Sequence, residues 1–158
     1  MKRRIGHEDT CAEGCEVGRI VSFAWTSAAL LAGHKTVTRR NWSADYGRLF
    51  RKGDVVHAYD RSPRVHGKPI ARLRLTVDAH HESDASTPDR DYEAEGFAWY
   101  VANPDGLPKR ERFAYLDTVS WESFCRWRER GGSSWVVRFE VAEVLLAEPA
   151  IQQIVLGI

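Results

Sequence analysis

The chain has 158 residues, 43% of them hydrophobic and 28% charged, which suits one packed domain and excludes wholesale disorder. The formal net charge of +1 excludes a globally basic coat for nucleic acid, although not a local basic face. No apolar run approaches the roughly 20 residues of a membrane helix, and the basic-then-acidic start lacks the apolar stretch of a secretory leader. A cytoplasmic protein with no membrane partner is therefore expected.

Three cysteines, Cys11, Cys15 and Cys125, are too few and too odd in number for a disulfide framework. His7, Cys11 and Cys15 have metal-ligand side chains, but a structural zinc wants four ligands and no fourth follows. Residues 1–18 read as an N-terminal extension, with no metal site and no cofactor expected.

In chain order, residues 19–25 (RIVSFAW) predict a first strand. Thr26 or Ser27 can cap a short helix over 28–32, which Gly33 stops. Residues 36–40 (TVTRR) read as a second strand, 43–50 as a helix capped by Ser43, and Lys52-Gly53-Asp54 as a turn into a strand at 55–60. A loop at 62–68 leads to the alternating strand 70–77, where small Ala71 marks a bulge or an edge. Residues 78–91 look like an acidic excursion, 92–102 a helix and 104–112 a loop rich in Pro and charge. Ser120 opens a helix ended by Gly131-Gly132, and 135–146 form a long strand. The last segment, AIQQIVLGI, is a final strand or an apolar tail, so 149–158 stand outside a domain spanning 19–148. Five or six strands with two or three helices make an α+β fold, a small curved mixed barrel.

Charge is uneven along the chain. Residues 34–74 hold eleven Lys or Arg against three acids, a balance of +8, whereas 78–95 carry −6. The first stretch is a candidate basic face for RNA or a phosphate, or a solvated arginine-rich surface.

A strand ending in Ser-Phe, the run Leu31-Ala32-Gly33-His34-Lys35-Thr36-Val37-Thr38-Arg39-Arg40 and the Gly53-Asp54 turn together resemble the ASCH domains of the PUA-like superfamily. Tyr92-Glu93-Ala94-Glu95-Gly96-Phe97, the segment 120–127 and Trp135-Val136-Val137-Arg138-Phe139 extend the resemblance over roughly 19–146. It implies a PUA-like barrel and a link to RNA. It also implies N4-acetylcytidine amidohydrolase activity, with a Lys, Thr and Glu triad falling on Lys35, Thr38 and Glu95. Two alternatives stand beside it: an RNA-binding module and a metal-independent ribonuclease.

Amide hydrolysis needs a nucleophile, a base, an acid for the leaving amine and oxyanion donors. Thr38 offers a hydroxyl. Lys35 can act as base if burial or neighbouring Arg39 and Arg40 lower its pKa. Glu95 can hold the Lys35 ammonium or give a proton to the leaving nitrogen. Residues three apart on a regular strand face opposite sides, so Lys35 and Thr38 converge only if the chain still turns after Gly33. Without convergence, Thr38 fills a strand and Lys35 caps the preceding helix. For a modified cytidine nucleoside or nucleobase, Phe23, Trp42 and Tyr59 are stacking candidates, Trp42 foremost; all three are also plausible core fillers. Arg39 and Arg61 are candidate binding residues, with ion pairing and solvent exposure as their plain alternatives. His80-His81-Glu82 reads as a solvated strand end, and Cys125 as part of a helix's core face.

Overall fold

A computed structural model describes residues 16–157, so His7, Cys11 and Cys15 lie outside the described residues. The six strands are β1 (Glu16–Ser22), β2 (Val37–Arg40), β3 (Val55–Tyr59), β4 (Pro69–Leu75), β5 (His80–Ser83) and β6 (Ser133–Val144). The helices are α1 (Ser27–Leu31), α2 (Ala44–Gly47), α3 (Asp91–Ala94), α4 (Phe97–Ala102), α5 (Arg112–Thr118), α6 (Trp121–Glu129) and α7 (Glu148–Leu156). The class is α+β, as expected, but seven short helices replace the expected two or three.

The strands form one curled, mixed sheet in the order β1-β3-β4-β6-β2. Only β1 and β3 run parallel; the other pairs are antiparallel. The long β6 changes neighbours along its length. Its first half pairs with β5 and β2, and its second half with β4. That exchange bends the sheet into a half-barrel compatible with a small PUA-like barrel, and leaves β1 and β2 as its two edges. The register of β4 against β6 shifts at Arg72/Leu73, one residue beyond the bulge expected at Ala71.

The concave side holds Val21, Phe23, Leu30, Phe50, Val56, Leu73, Val137 and Phe139. A second core gathers Ala28, Ala29, Leu107 and Val119 around Tyr100. The Tyr100 hydroxyl donates to the Trp25 carbonyl at 2.7 Å and accepts from the Ala29 amide at 3.2 Å. Burial pushes its pKa up to about 12, so it stays a neutral donor.

Several local expectations change. The first strand stops at Ser22, because Phe23 to Thr26 turn into a 3-10 helix. Thr26 and Ser27 give their hydroxyl protons to the carbonyls of Phe23 and Ala24, so neither side chain caps α1. The acidic excursion contains β5, which zips onto β6. The single helix expected at 92–102 is two, α3 and α4, split at Gly96 with φ +86°. The loop expected up to residue 112 gives way to α5 at Arg112, the first of seven helical residues. The C-terminal segment is helix α7, not a strand or a tail, and its Ile154 packs on the second core. Ser43 and Ser120 do cap α2 and α6, accepting from the amides of Tyr46 and Ser123.

Candidate functional site

Glu95 sits at the C-terminus of the single-turn helix α3, where its amide donates to the Asp91 carbonyl at 2.8 Å. Gly96 then takes the left-handed conformation that lets the chain reverse into α4. A Cβ at Gly96 would lie 2.6 Å from the Cβ of Ala29. Gly96→Ala therefore carries both backbone strain and a clash, and should cost about 2–4 kcal/mol. A chemical-denaturation midpoint equal to wild type would contradict this.

Gly33, at φ +81°, turns the chain out of α1 toward β2. The Thr36 amide then donates to the Ala94 carbonyl at 2.8 Å, fastening the start of β2 to the end of α3. Lys35 lies before the strand begins, so strand alternation does not set its direction. Its ammonium donates to Glu95 Oε2 at 2.7 Å and to the Glu95 carbonyl at 2.9 Å. Lys35 thus caps the end of α3, not that of α1 as its plain alternative supposed. Both groups are buried, Lys35 at 2% and Glu95 at 7% exposure. Burial lowers the Lys35 pKa; Glu95 opposes the shift, and Arg40 and Arg39 add to it.

Within β2, cross-strand pairing settles which way each side chain points. Thr38 and Arg40 lie opposite Val137 and Trp135, both of the barrel core, whereas Val37 and Arg39 lie opposite Arg138 and Val136 on the other face. On that outer face Arg39 meets three carboxylates: Asp91 Oδ2 at 2.5 Å, Glu95 Oε1 at 3.1 Å and Glu82 Oε1 at 3.1 Å. Burial disfavours its charge, but these partners outweigh burial and raise its pKa. Arg138 adds a two-pronged contact to Asp91 at 2.9 and 2.8 Å. Arg39 is thus an ion-pair hub, the plain alternative for it, with its guanidinium 5.8 Å from the centre of the Trp127 ring.

Arg40 differs from its neighbour. It crosses the gap between the sheet edges to donate to the Ser22 carbonyl at the end of β1, and its guanidinium lies 5.5 Å from the Phe23 ring centre. Burial, only partly countered by Glu95, lowers its pKa.

Beside β2 opens a cavity of about 580 Å³. Arg39, Arg40, Asn41 and Glu95 line it together with the aromatic rings of Phe97, Phe124 and Trp127. Thr118 at the end of α5, Ser123 and Arg130 in and after α6, and Ser134 on β6 add polar groups. The Thr118 hydroxyl donates to the Ala114 carbonyl at 3.0 Å, and the Ser134 hydroxyl to Asp84 Oδ1 at 2.7 Å. With their protons so placed, both can only accept from a ligand.

Of the residues expected at the site, Glu95 and Arg39 line this cavity. Lys35 lies against Glu95. Thr38 is buried next to Arg39 but is not among the lining residues, and its hydroxyl has no hydrogen bond among the described residues. Phe23, Trp42, Tyr59 and Arg61 are not brought there. Phe23 packs edge-on against Phe139 at 5.7 Å, and Trp42 stacks on Phe50 at 4.4 Å with Tyr46 at its edge. Tyr59 ends β3 in register with Ser22 and Pro69, and Arg61 is exposed in the next loop. A half-barrel needs large fillers, and the aromatics of its strands and turns supply them.

Arg72 and Arg74 point away from the core on β4 and pair with Glu143 and Glu140 of β6. The His80 ring reaches Glu82 Oε2 at 3.1 Å, at the exposed end expected for this strand. Cys125 is half-buried, with Arg128 Nη2 3.5 Å from its sulfur. Among the described residues, no group of three or more His, Cys, Asp or Glu is placed to hold a metal, and no helix is long and apolar enough to cross a membrane.

Sequence reasoning missed Trp127, Thr118 and Ser134. Trp127 carried a signal, since it follows Phe124 at helical spacing, but that spacing reads equally as core packing. Thr118 and Ser134 carried none.

No family model matches the chain, and no curated protein matches it. Among solved structures, the crystal structure of protein EF3133 from Enterococcus faecalis V583, of the family DUF984, is similar. Its identity is 13% over 83% of this chain and 84% of that one, with a TM-score of 0.48.

Proposed function

We propose that the protein is an amidohydrolase that cleaves the acyl amide of N4-acylated cytidine or cytosine, releasing the amine and a carboxylic acid. One observation carries this reading: a buried Lys35–Glu95 pair at 2.7 Å whose carboxylate lines the cavity and whose lysine is depressed by burial. A neutral lysine amine can accept a proton from a hydroxyl, which an ordinary ammonium cannot.

In the proposed sequence, Thr38, the nucleophile implied by the resemblance, turns from the core face of β2 into the cavity, and Lys35 takes its proton as its oxygen attacks the acyl carbon. The Lys35 ammonium then returns that proton to the departing N4, and water hydrolyses the acyl-threonine ester to the free acid. Glu95 accepts from both Lys35 and Arg39, which favours a holding role over a proton-donating one. The cavity volume falls within the roughly 300–1,000 Å³ of small-molecule sites. Phe97, Phe124 and Trp127 offer apolar area to a pyrimidine, and the acceptors Thr118 and Ser134 suit the hydroxyls of a ribose. The paired state of Arg72 and Arg74 gives the RNA-binding alternative no comparable support.

The test is incubation of the purified protein with N4-acetylcytidine and chromatography of the products. Cytidine and acetate should appear in equal amounts. Cytidine no faster than in the protein-free control would remove the reading.

A further inference from the structure

We infer that the cavity beside β2 holds an oxyanion of its ligand, a carboxylate or a phosphate, against Arg40. The inference rests on the cavity and its charges, not on amide chemistry.

Two adjacent arginines of β2 line the cavity from opposite faces of the strand, and they are in opposite states. Arg39 already has Glu82, Asp91 and Glu95 as partners and has little left to offer a ligand. Arg40 has no carboxylate partner among the described residues. Its single hydrogen bond goes from Nη2 to a backbone carbonyl, which carries no compensating charge. Its Nε is buried with no acceptor. A guanidinium does not shed its proton near neutral pH, so the charge persists while water is largely excluded from it. Such a group has only the shared, distant pull of Glu95 as counter-charge, which an oxyanion in the cavity would supplement.

The rest of the cavity does not supply that counter-charge. The Glu95 carboxylate accepts from Lys35 and Arg39. Asp117 also lines the cavity, but its side chain is 77% exposed and solvated, and its contact is to Arg126 at 3.9 Å, not to Arg40. Arg130 adds a third arginine to the lining, exposed and with no ion pair among the described residues. The nucleoside N4-acetylcytidine is neutral and would leave Arg40 as it is, whereas its carboxylate product, or a phosphate carried on the ligand, would satisfy Arg40 directly.

The experiment is a titration of the ¹⁵N-labelled full chain, followed by backbone amide and arginine Nε–H signals at constant ionic strength. The probes are sodium acetate, sodium phosphate and acetamide, the last being the uncharged counterpart of acetate. At least one anion should shift Arg40 Nε–H and the amides of Asn41 and Ser134 to saturation. Acetamide should not do so at tenfold higher concentration. Whichever anion binds tighter tells a carboxylate from a phosphate source. Arg40→Gln should weaken the anion at least tenfold. If that variant does not fold, the acetate–acetamide comparison in the wild type still decides. Equal responses to acetate and acetamide, shifts spread equally over Arg61 and Arg64, or unchanged affinity in a folded Arg40→Gln would each overturn the inference. Turnover of N4-acetylcytidine is read separately, so either idea can fail alone.

Discussion

Asp91→Asn is expected to destabilise the fold by about 3–5 kcal/mol, the range for removing one partner from a buried ion pair. Asp91 is 0% exposed and accepts two hydrogen bonds from Arg138 and one from Arg39. An amide keeps the shape but removes the charge, leaving two guanidiniums short of their main counter-ion. For a chain of this size the loss lowers the melting temperature by about 10 °C. The pH dependence gives a second signature. Burial by itself raises the Asp91 pKa, but the bonds and charges of Arg138 and Arg39 win and hold it below the ordinary carboxyl value. A carboxylate lowered in the folded state stabilises above its unfolded pKa, and that stability is lost as pH falls through the folded one. The wild type should therefore lose stability below about pH 4, and the variant should show a shallower acid limb. A melting temperature within a degree or two of wild type would show that the cluster holds without its acid. Because Arg39 also bonds Glu95, the same substitution should loosen the carboxylate beneath the cavity.

Lys35→Ala is expected to lower N4-acetylcytidine turnover by about 10²–10⁴-fold, the usual worth of a general base. Lys35→Arg should not restore it, because a guanidinium stays protonated near neutral pH. Thr38→Ala should be at least as severe if its oxygen attacks the acyl carbon. Both Lys35 variants disturb a buried pair and should themselves lower stability by up to about 3–5 kcal/mol, so their turnover is read below their melting temperature. Thr38→Ala gives up no hydrogen bond among the described residues and should keep the fold. The rate profile adds a direction. Lys35 works as the free amine, so kcat/KM rises with pH through its depressed pKa. It should level off before the ordinary lysine value of about 10.4. A fully active Thr38→Ala protein would transfer the attack to a water activated at the Lys35–Glu95 pair. A profile still rising above pH 10 would remove Lys35 as the base.

The positions of β2, β3, β4 and β6, the Gly33 and Gly53 turns, the Ser43 and Ser120 caps and the α+β class could be read from the chain itself. Each depends on residues a few positions apart: alternation on β4, positive φ at glycine, a hydroxyl facing an amide three residues on. Helices α3, α4 and α5 have four to seven residues, too few for a helical period to stand above noise, and packing decides them. The nine-residue α7 had a more regular pattern, but an apolar run of that length reads equally as a strand. The cavity wall is further from reach. Arg39 and Glu95 are 56 positions apart, and Lys35 and Glu95 are 60. Composition shows only a basic stretch and an acidic one; the turn at Gly96 and the start of β2 decide which acid meets which base. Trp42 and Trp127 illustrate the same limit. Both are tryptophans near charge, yet Trp42 spends its ring on Phe50, whereas Trp127 lines the cavity with the Arg39 guanidinium 5.8 Å from its ring centre. Local chemistry selects the elements, and only their packing decides which side chains share a space.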